Sequence, residues 1–259
     1  MNRRRQVAGR RTRTIVLWLA GLLVVALPLL AAAQRGGFGV YGYPSVPYDG
    51  KFAFVRIRYD EYNLWAADFP AMERNLMRVL QDISELRPHI NASNVLDLDD
   101  PDLLRFPLAY LTEPGYWFPN QSQVAGLRDY LLKGGFLIVD DFHYANEWAV
   151  FEMAMRRVLP EARVERLDLA HPVFDSFFAI KSLDVPYPGR LGEMGLMGEF
   201  FGIYEDNDPR KRLMVIINYN IDLGDYVEWS ADMSNAYSLV PTNEAYKFLI
   251  NYVLYGLTR

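Results

Sequence analysis

The feature that most constrains the fold is an alternation of strand-like and helix-like segments that begins at Lys51. The clearest strand, FLIVDD (136–141), is a continuous apolar run ending in two aspartates, which is typical of a strand buried on both faces. Strands joined by crossover helices favour a parallel sheet covered by helices on both sides. We therefore predict an α/β fold, a three-layer doubly wound domain with a mainly parallel sheet. The predicted strands are 52–59, 94–98, 108–113, 136–141 and 162–168, and the helices between them open near Asp68, Asn120 and Asn146.

The second half of the chain departs from this alternation. Two strand-like segments, 198–205 and 212–220, flank the turn-rich stretch DNDPRK (206–211). This pattern predicts an antiparallel hairpin added to an edge of the sheet. The last segment, 243–259, carries apolar residues at helical spacing and predicts a closing helix.

Composition limits the classes of function. The chain has no cysteine, which excludes thiol catalysis, thiolate metal sites and disulfides. The first 33 residues hold six arginines and no acid, so the remainder has 21 basic and 32 acidic residues, a balance of -11. Because such a body repels polyphosphate, we expect no nucleic-acid partner.

The first 33 residues form a basic leader, an apolar run and the small-residue stretch AAAQ. This pattern is typical of a bacterial secretory signal peptide cleaved before Gln34. The alternative is a transmembrane helix over residues 15–33, which are numerous enough to span a bilayer and would anchor the chain in the inner membrane. Both interpretations place the folded body in the periplasm or otherwise outside the cytoplasm. Residues 34–50 are rich in Gly, Pro and Tyr and predict a flexible linker, which leaves residues 51–259 as a single α/β domain.

Polar residues follow the predicted strands where a ligand would bind. In an open parallel sheet, ligands bind beyond the carboxyl ends of the strands. The candidate ligand-binding residues at or near those ends are Arg56, Arg58, Asp60, Glu113, Asp140, Asp141 and His143. Each acid has a structural alternative, because aspartates after strands commonly cap helices or bind backbone N–H groups.

Three of these residues are the candidates for catalysis. Asp140, Asp141 and His143 could perform general acid/base chemistry, and together with His171 they offer donors for a divalent metal. The spacing matches no established metal motif, so we expect no cofactor and keep the divalent metal as an alternative.

Two arginines share one side of the first strand with Phe54. A buried arginine needs a carboxylate partner, and Asp140 or Asp141 is the candidate for Arg56 and Arg58. The functional alternative is that the two guanidinium groups bind an anionic ligand.

Several segments in one order, among them FAFVRIRYD, WAADFPAMERNL, LAYLTEPG, LRDYLLKGGFLIVDDFH, HPVF and NYVLYGLT, resemble a bacterial family called domain of unknown function 4159. The resemblance covers residues 51–259 and implies a class I glutamine amidotransferase-like, flavodoxin-like fold. Glutaminases of that superfamily use a cysteine on a strand-to-helix elbow, whereas this chain has Asp140 and Asp141 there. The resemblance therefore implies no catalytic residue.

Two functions follow from these observations. The preferred one is a non-catalytic module that binds a ligand or partner at the carboxyl edge of the sheet, since serine-elbow and phosphate-loop motifs are absent from the sequence. The alternative is a hydrolase using Asp140, Asp141 and His143. A further hypothesis is docking to an envelope protein through the hairpin tip at 206–211.

Overall fold

The computed structural model describes residues 45–59, 63–231, 237 and 239–259. The predicted signal or anchor, most of the predicted linker, and Asp60 lie outside the described residues. Within the described part of the chain, no helix is both long and apolar enough to cross a membrane.

One seven-stranded sheet organises the molecule. Its strands are β1 Val55–Arg58, β2 Asn94–Asp97, β3 Leu108–Thr112, β4 Phe136–Asp140, β5 Glu165–Arg166, β6 Glu199–Tyr204 and β7 Leu213–Tyr219. They lie in the order β2-β1-β3-β4-β7-β6-β5. The first five strands in this order are parallel, whereas the β7–β6 and β6–β5 pairs are antiparallel. The predicted α/β class and mainly parallel sheet are confirmed.

Helices pack on both faces of the sheet and enclose two hydrophobic cores. They are α1 Ala71–Ile83, α2 Gln121–Leu132, α3 Tyr144–Val158, α4 Arg190–Glu193, α5 Leu223–Glu228 and α6 Leu239–Thr258. One core joins side chains of α1, α5 and α6, and the other joins side chains of α2 and α3. Successive residues of β3 and β4 contribute to alternate cores, as the two-residue period of a strand requires.

Local sequence signals account for the main boundaries. Each residue of β4 is at most 3% exposed, as the apolar composition of this strand predicts. The predicted cap of α2 is confirmed, because Asn120 Oδ1 accepts the Gln123 N–H at 3.0 Å and Gln123 Oε1 accepts the Asn120 N–H at 2.9 Å. This reciprocal pair satisfies two N–H groups that a helix start leaves unbonded.

The predicted antiparallel hairpin is present beside the parallel strands. β6 and β7 pair antiparallel, and β7 also pairs parallel with β4. One further strand, β5, follows β6 at this edge of the sheet and has two residues instead of the predicted seven. Val215 and Ile216 of β7 are completely buried, because helices cover both faces of this strand.

Register brings the carboxyl ends of β3, β4 and β7 together. Thr112 lies opposite Asp140 at the ends of β3 and β4. Beyond the sheet, Phe142 forms an isolated antiparallel bridge with Ile221. Because antiparallel neighbours run in opposite directions, this bridge sets Asp141 opposite Asp222.

Candidate functional site

Asp140 joins the end of β4 to the start of α5. Its Oδ2 accepts the Tyr110 hydroxyl at 2.7 Å and the backbone N–H groups of Leu223 and Gly224 at 3.0 and 3.1 Å. Burial raises the pKa of Asp140 to about 6, and the Tyr110 hydrogen bond opposes the rise. These contacts give Asp140 a structural role between sheet and helix.

Asp141 and Asp222 meet across the Phe142–Ile221 bridge. Asp141 has a left-handed backbone, φ 58°, which aspartate tolerates better than most residues. Its Oδ1 accepts the Tyr187 hydroxyl at 3.0 Å. Asp222 caps α5, since its Oδ1 accepts the Asp225 N–H at 2.7 Å.

Asp68 completes a group that we call the acidic centre: Asp68, Asp141 and Asp222. One carboxylate oxygen from each lies within 4.8 Å of the other two, and all three are buried. Oδ2 of Asp68 is shielded from solvent and has no hydrogen-bond partner among the residues that the structure describes. It lies so near α5 that a Cβ on Gly224 would be 2.5 Å away, which explains the glycine at this position.

The acidic centre is electrostatically uncompensated. Burial raises the pKa of all three carboxyls well above the usual value, and like charges nearby raise it further. The Arg56 guanidinium lowers the pKa of Asp68 only in part. Within the described residues, none of the three acids forms an ion pair with Lys, Arg or His.

Glu113 lies beside this centre. It follows β3 with a left-handed backbone, φ 51°, and its carbonyl accepts the Tyr59 hydroxyl at 2.8 Å. Burial, followed by the charges of Glu147 and Asp68, raises the pKa of Glu113 to about 7. Its carboxyl therefore exchanges protons near neutral pH.

His143 directly precedes α3 and is held by structural contacts. Its backbone N–H donates to Glu147 Oε2 at 2.7 Å, and its Nδ1 lies 3.4 Å from the same oxygen. The ring packs edge-on against Tyr144 and Tyr187, with centroids 4.6 and 5.3 Å apart. Tyr187 thus links the His143 ring to the carboxylate of Asp141.

The predicted partner of the first-strand arginines was wrong. Arg56 is completely buried and its Nε donates to Glu73 of α1 at 2.5 Å, not to Asp140 or Asp141. Arg58 binds Asp97 of β2 through two bonds of 2.8 and 2.7 Å on a partly exposed surface. Both guanidinium groups are therefore engaged in ion pairs.

Only one of the four residues considered for a metal belongs to a metal-compatible group. Such groups among the described residues contain Asp141, but not Asp140, His143 or His171. His171 Nδ1 accepts the Val173 N–H at 3.1 Å, and its ring packs near Tyr204 at the opposite edge of the sheet.

Sequence reasoning missed Asp68 and Asp222. Asp222 follows β7, so the rule that located Asp141 applies to it once β7 is known to be parallel to β4. The sequence assigns Asp68 and Pro70 to the start of α1; Pro70 does precede the helix directly, whereas the Asp68 side chain belongs to the acidic centre.

The donors of the acidic centre suit a hard cation. Three carboxylate oxygens without sulfur or imidazole are the ligands that Mg²⁺, Ca²⁺ and Mn²⁺ prefer. A second group, Asp68, Asp225 and Glu228, shares Asp68 with the first. Both oxygens of Asp225 already accept hydrogen bonds, from Trp229 Nε1 at 2.8 Å and the Tyr237 hydroxyl at 2.7 Å.

Comparison with known proteins identifies the family. No curated protein matches the chain. The family described as Domain of unknown function (DUF4159) matches residues 53–257, which span both hydrophobic cores and the acidic centre. The match extends over most of the chain, and the protein therefore belongs to the DUF4159 family.

Proposed function

We propose that this protein is an exported or membrane-tethered binding module that holds a positively charged ligand in its acidic centre, at the carboxyl edge of the sheet. The observation that carries the proposal is the convergence of Asp68, Asp141 and Asp222 from three separate segments without an ion-pair partner among the described residues. Burying charge without compensation is costly. A bound cation supplies the missing compensation.

The location and the finer fold belong to the same proposal. The arginine leader and apolar run of residues 1–33 support export, with the body outside the cytoplasm. The parallel order β2-β1-β3-β4-β7 corresponds to the 2-1-3-4-5 order of flavodoxin-like sheets, which supports a flavodoxin-like and glutamine amidotransferase-like arrangement.

The test is thermal unfolding of the full-length chain in detergent against divalent cations, organic ammonium ions and neutral sugars. A ligand at a concentration of about 100 times its Kd stabilises the folded state by about 2.7 kcal/mol. For a chain of this size the expected rise in Tm is roughly 5–10 °C.

Two variants locate the effect. Asp141→Asn and Asp222→Asn keep the observed hydrogen-bond acceptors but remove charge, so the cation-induced rise should be lost. Asp100→Asn is the matched control, because Asp100 also caps a helical turn, by accepting the Asp102 N–H at 2.9 Å. If no cation raises the Tm of the wild type by more than it raises the Tm of the two variants, the proposal is contradicted.

One observation favours the hydrolase alternative. The pKa of Glu113, about 7, suits a general base next to the acidic centre, whereas Asp140 and His143 are held by structural contacts. Turnover of chromogenic esters and phosphate esters by wild type, Glu113→Gln and the control Glu152→Gln tests this function. Loss of turnover in Glu113→Gln alone supports it, and absence of wild-type turnover counts against it.

A further inference from the structure

We infer that the acidic centre binds a hard divalent metal ion through one carboxylate oxygen each of Asp68, Asp141 and Asp222. This inference rests on the proposed function and names its ligand. The ion belongs to the class of Ca²⁺, Mg²⁺ and Mn²⁺, whose preferred protein ligands are oxygens.

The spacing of the oxygens fits a single ion. Ligand oxygens lie about 2.0–2.6 Å from Mg²⁺ or Ca²⁺, so two ligands of the same ion are at most about 4–5 Å apart. The three oxygens of the acidic centre are all within 4.8 Å of one another. They need little rearrangement to share one ion.

The unpartnered oxygen of Asp68 independently points to a ligand. Buried carboxylate oxygens nearly always accept hydrogen bonds, and leaving one without a donor is unfavourable. In the described ranges of the chain, Asp68 Oδ2 is buried and has no hydrogen-bond partner. Because Asp68 belongs to both metal-compatible groups of the described residues, an ion there supplies the contact that this carboxylate lacks.

The other two carboxylates are oriented by neutral donors. The Tyr187 hydroxyl holds Asp141 Oδ1, and the Asp225 N–H holds Asp222 Oδ1. In the described part of the chain, neither residue has a hydrogen bond to its second oxygen. Such outer contacts orient metal ligands while leaving one oxygen of each carboxylate for the ion.

Burial favours an ion over an organic cation. Asp141 and Asp222 are each 5% exposed, which leaves little access for a ligand that carries a carbon skeleton. Three open pockets of the described molecule are lined by residues outside the acidic centre. A single dehydrated or partly hydrated ion is the smallest cation that meets all three carboxylates.

The second group of acids is the poorer metal site. Asp225 shares Asp68 with Glu228, but its two oxygens accept bonds from Trp229 and Tyr237. Binding an ion there would break or weaken these contacts. Asp225 therefore acts by orienting Asp222 through its backbone N–H.

The experiment is isothermal titration of the full-length, chelator-treated chain in detergent with CaCl2, MgCl2, MnCl2, ZnCl2 and spermidine. We expect one site for at least one of the three hard ions, and binding at least tenfold weaker in Asp141→Asn and in Asp222→Asn. Both variants should fold, because asparagine accepts the same hydrogen bonds and tolerates the left-handed backbone of residue 141. Asp100→Asn should bind like the wild type.

Terbium provides a second readout that does not depend on heat of binding. Tb³⁺ in the acidic centre should luminesce on tyrosine excitation, because the Tyr187 hydroxyl lies 3.0 Å from Asp141 Oδ1. Excess Ca²⁺ should displace it, and Asp222→Asn should abolish the displaceable signal.

The outcomes separate this inference from the proposed function. If spermidine binds in an Asp141-dependent manner and no hard divalent ion does, the metal inference is overturned while the cation-binding function stands. If no cation binds, both are overturned. Equal binding of hard ions by the wild type and both asparagine variants overturns the assignment to this centre.

Discussion

Two buried ionic groups on the same face of the sheet are built in opposite ways. Arg56 and Glu73 are both completely buried, and Arg56 also donates to the backbone carbonyls of Trp65 and Ala67. Burial would lower the pKa of Arg56, but the charges of Glu73, Tyr110 and Asp68 together raise it overall. The acidic centre brings like charges together and has no such pair among the described residues.

The comparison separates a structural ion pair from the proposed binding site. A buried pair of opposite charges provides its own compensation, and its value is lost when one partner is removed. A buried group of like charges lowers the stability of the folded state unless a ligand of opposite charge binds to it. Removing one of the charges should therefore raise the stability of the ligand-free protein. The predictions below test this opposite response, from the largest expected effect to the smallest.

Glu73→Gln should cause the largest loss of stability. The substitution leaves the buried Arg56 guanidinium without a charged partner, which costs about 3–5 kcal/mol. Urea denaturation of the full-length chain in detergent measures the loss. Glu152→Gln, which breaks the exposed pair with Arg156, is the control, and an equal effect of the two substitutions contradicts the comparison.

Asp222→Asn should stabilise the ligand-free protein at pH 8. The substitution removes one buried charge but retains the acceptor for the Asp225 N–H, so we expect a gain of about 1–3 kcal/mol. Chemical denaturation after chelator treatment measures it, with Asp100→Asn as the matched cap outside the acidic centre. A loss of stability larger than that of Asp100→Asn means that the centre is structural.

Raising the pH should destabilise the ligand-free protein. The folded-state pKa values of Asp140, about 6, and Glu113, about 7, lie above those of unfolded carboxyls, so the folded state binds more protons. The stability from these two carboxyls is then fully present below the unfolded-state pKa of about 4 and is lost as the pH rises from there through about 6 to 7. Denaturation midpoints between pH 5 and 8 measure the fall. Saturating Ca²⁺ should raise the denaturation midpoints most at pH 8. A midpoint that rises with pH in the chelator-treated protein contradicts the prediction.

Asp97→Asn should have the smallest effect. Its partner Arg58 is 43% exposed in its side chain, and pairs of this kind contribute about 0.2–1 kcal/mol. The same urea assay measures this loss. A loss of unfolding free energy close to that caused by Glu73→Gln would show that burial does not explain the contrast between the two ion pairs.

The sheet was predictable because its signals are local. The apolar run of β4, the cap at Asn120 and the helical stripe of α6 each depend on residues close together in the chain. The position of β7 was not predictable in this way, because its parallel partner β4 is distant in the sequence. The turn-rich stretch predicts the hairpin but not which edge of the parallel strands the hairpin joins.

The candidate site was predictable only in part, for the same reason. Asp141 and Glu113 follow strands and were found, whereas Asp222 was missed with the placement of β7. The partner of Arg56 depends on how α1 packs against β1, which brings Glu73 to the guanidinium. Long-range packing of this kind leaves no short motif.

The bridge between Phe142 and Ile221 has a consequence for maturation. Residues 68, 141 and 222 are far apart in the chain, and two of them meet only when the segments after β4 and β7 have come together. For the export and ion binding proposed above, an extended polypeptide therefore lacks the ion site while it crosses the membrane. Under that proposal the ion binds only after these segments have assembled, so that its binding would report a completed tertiary structure.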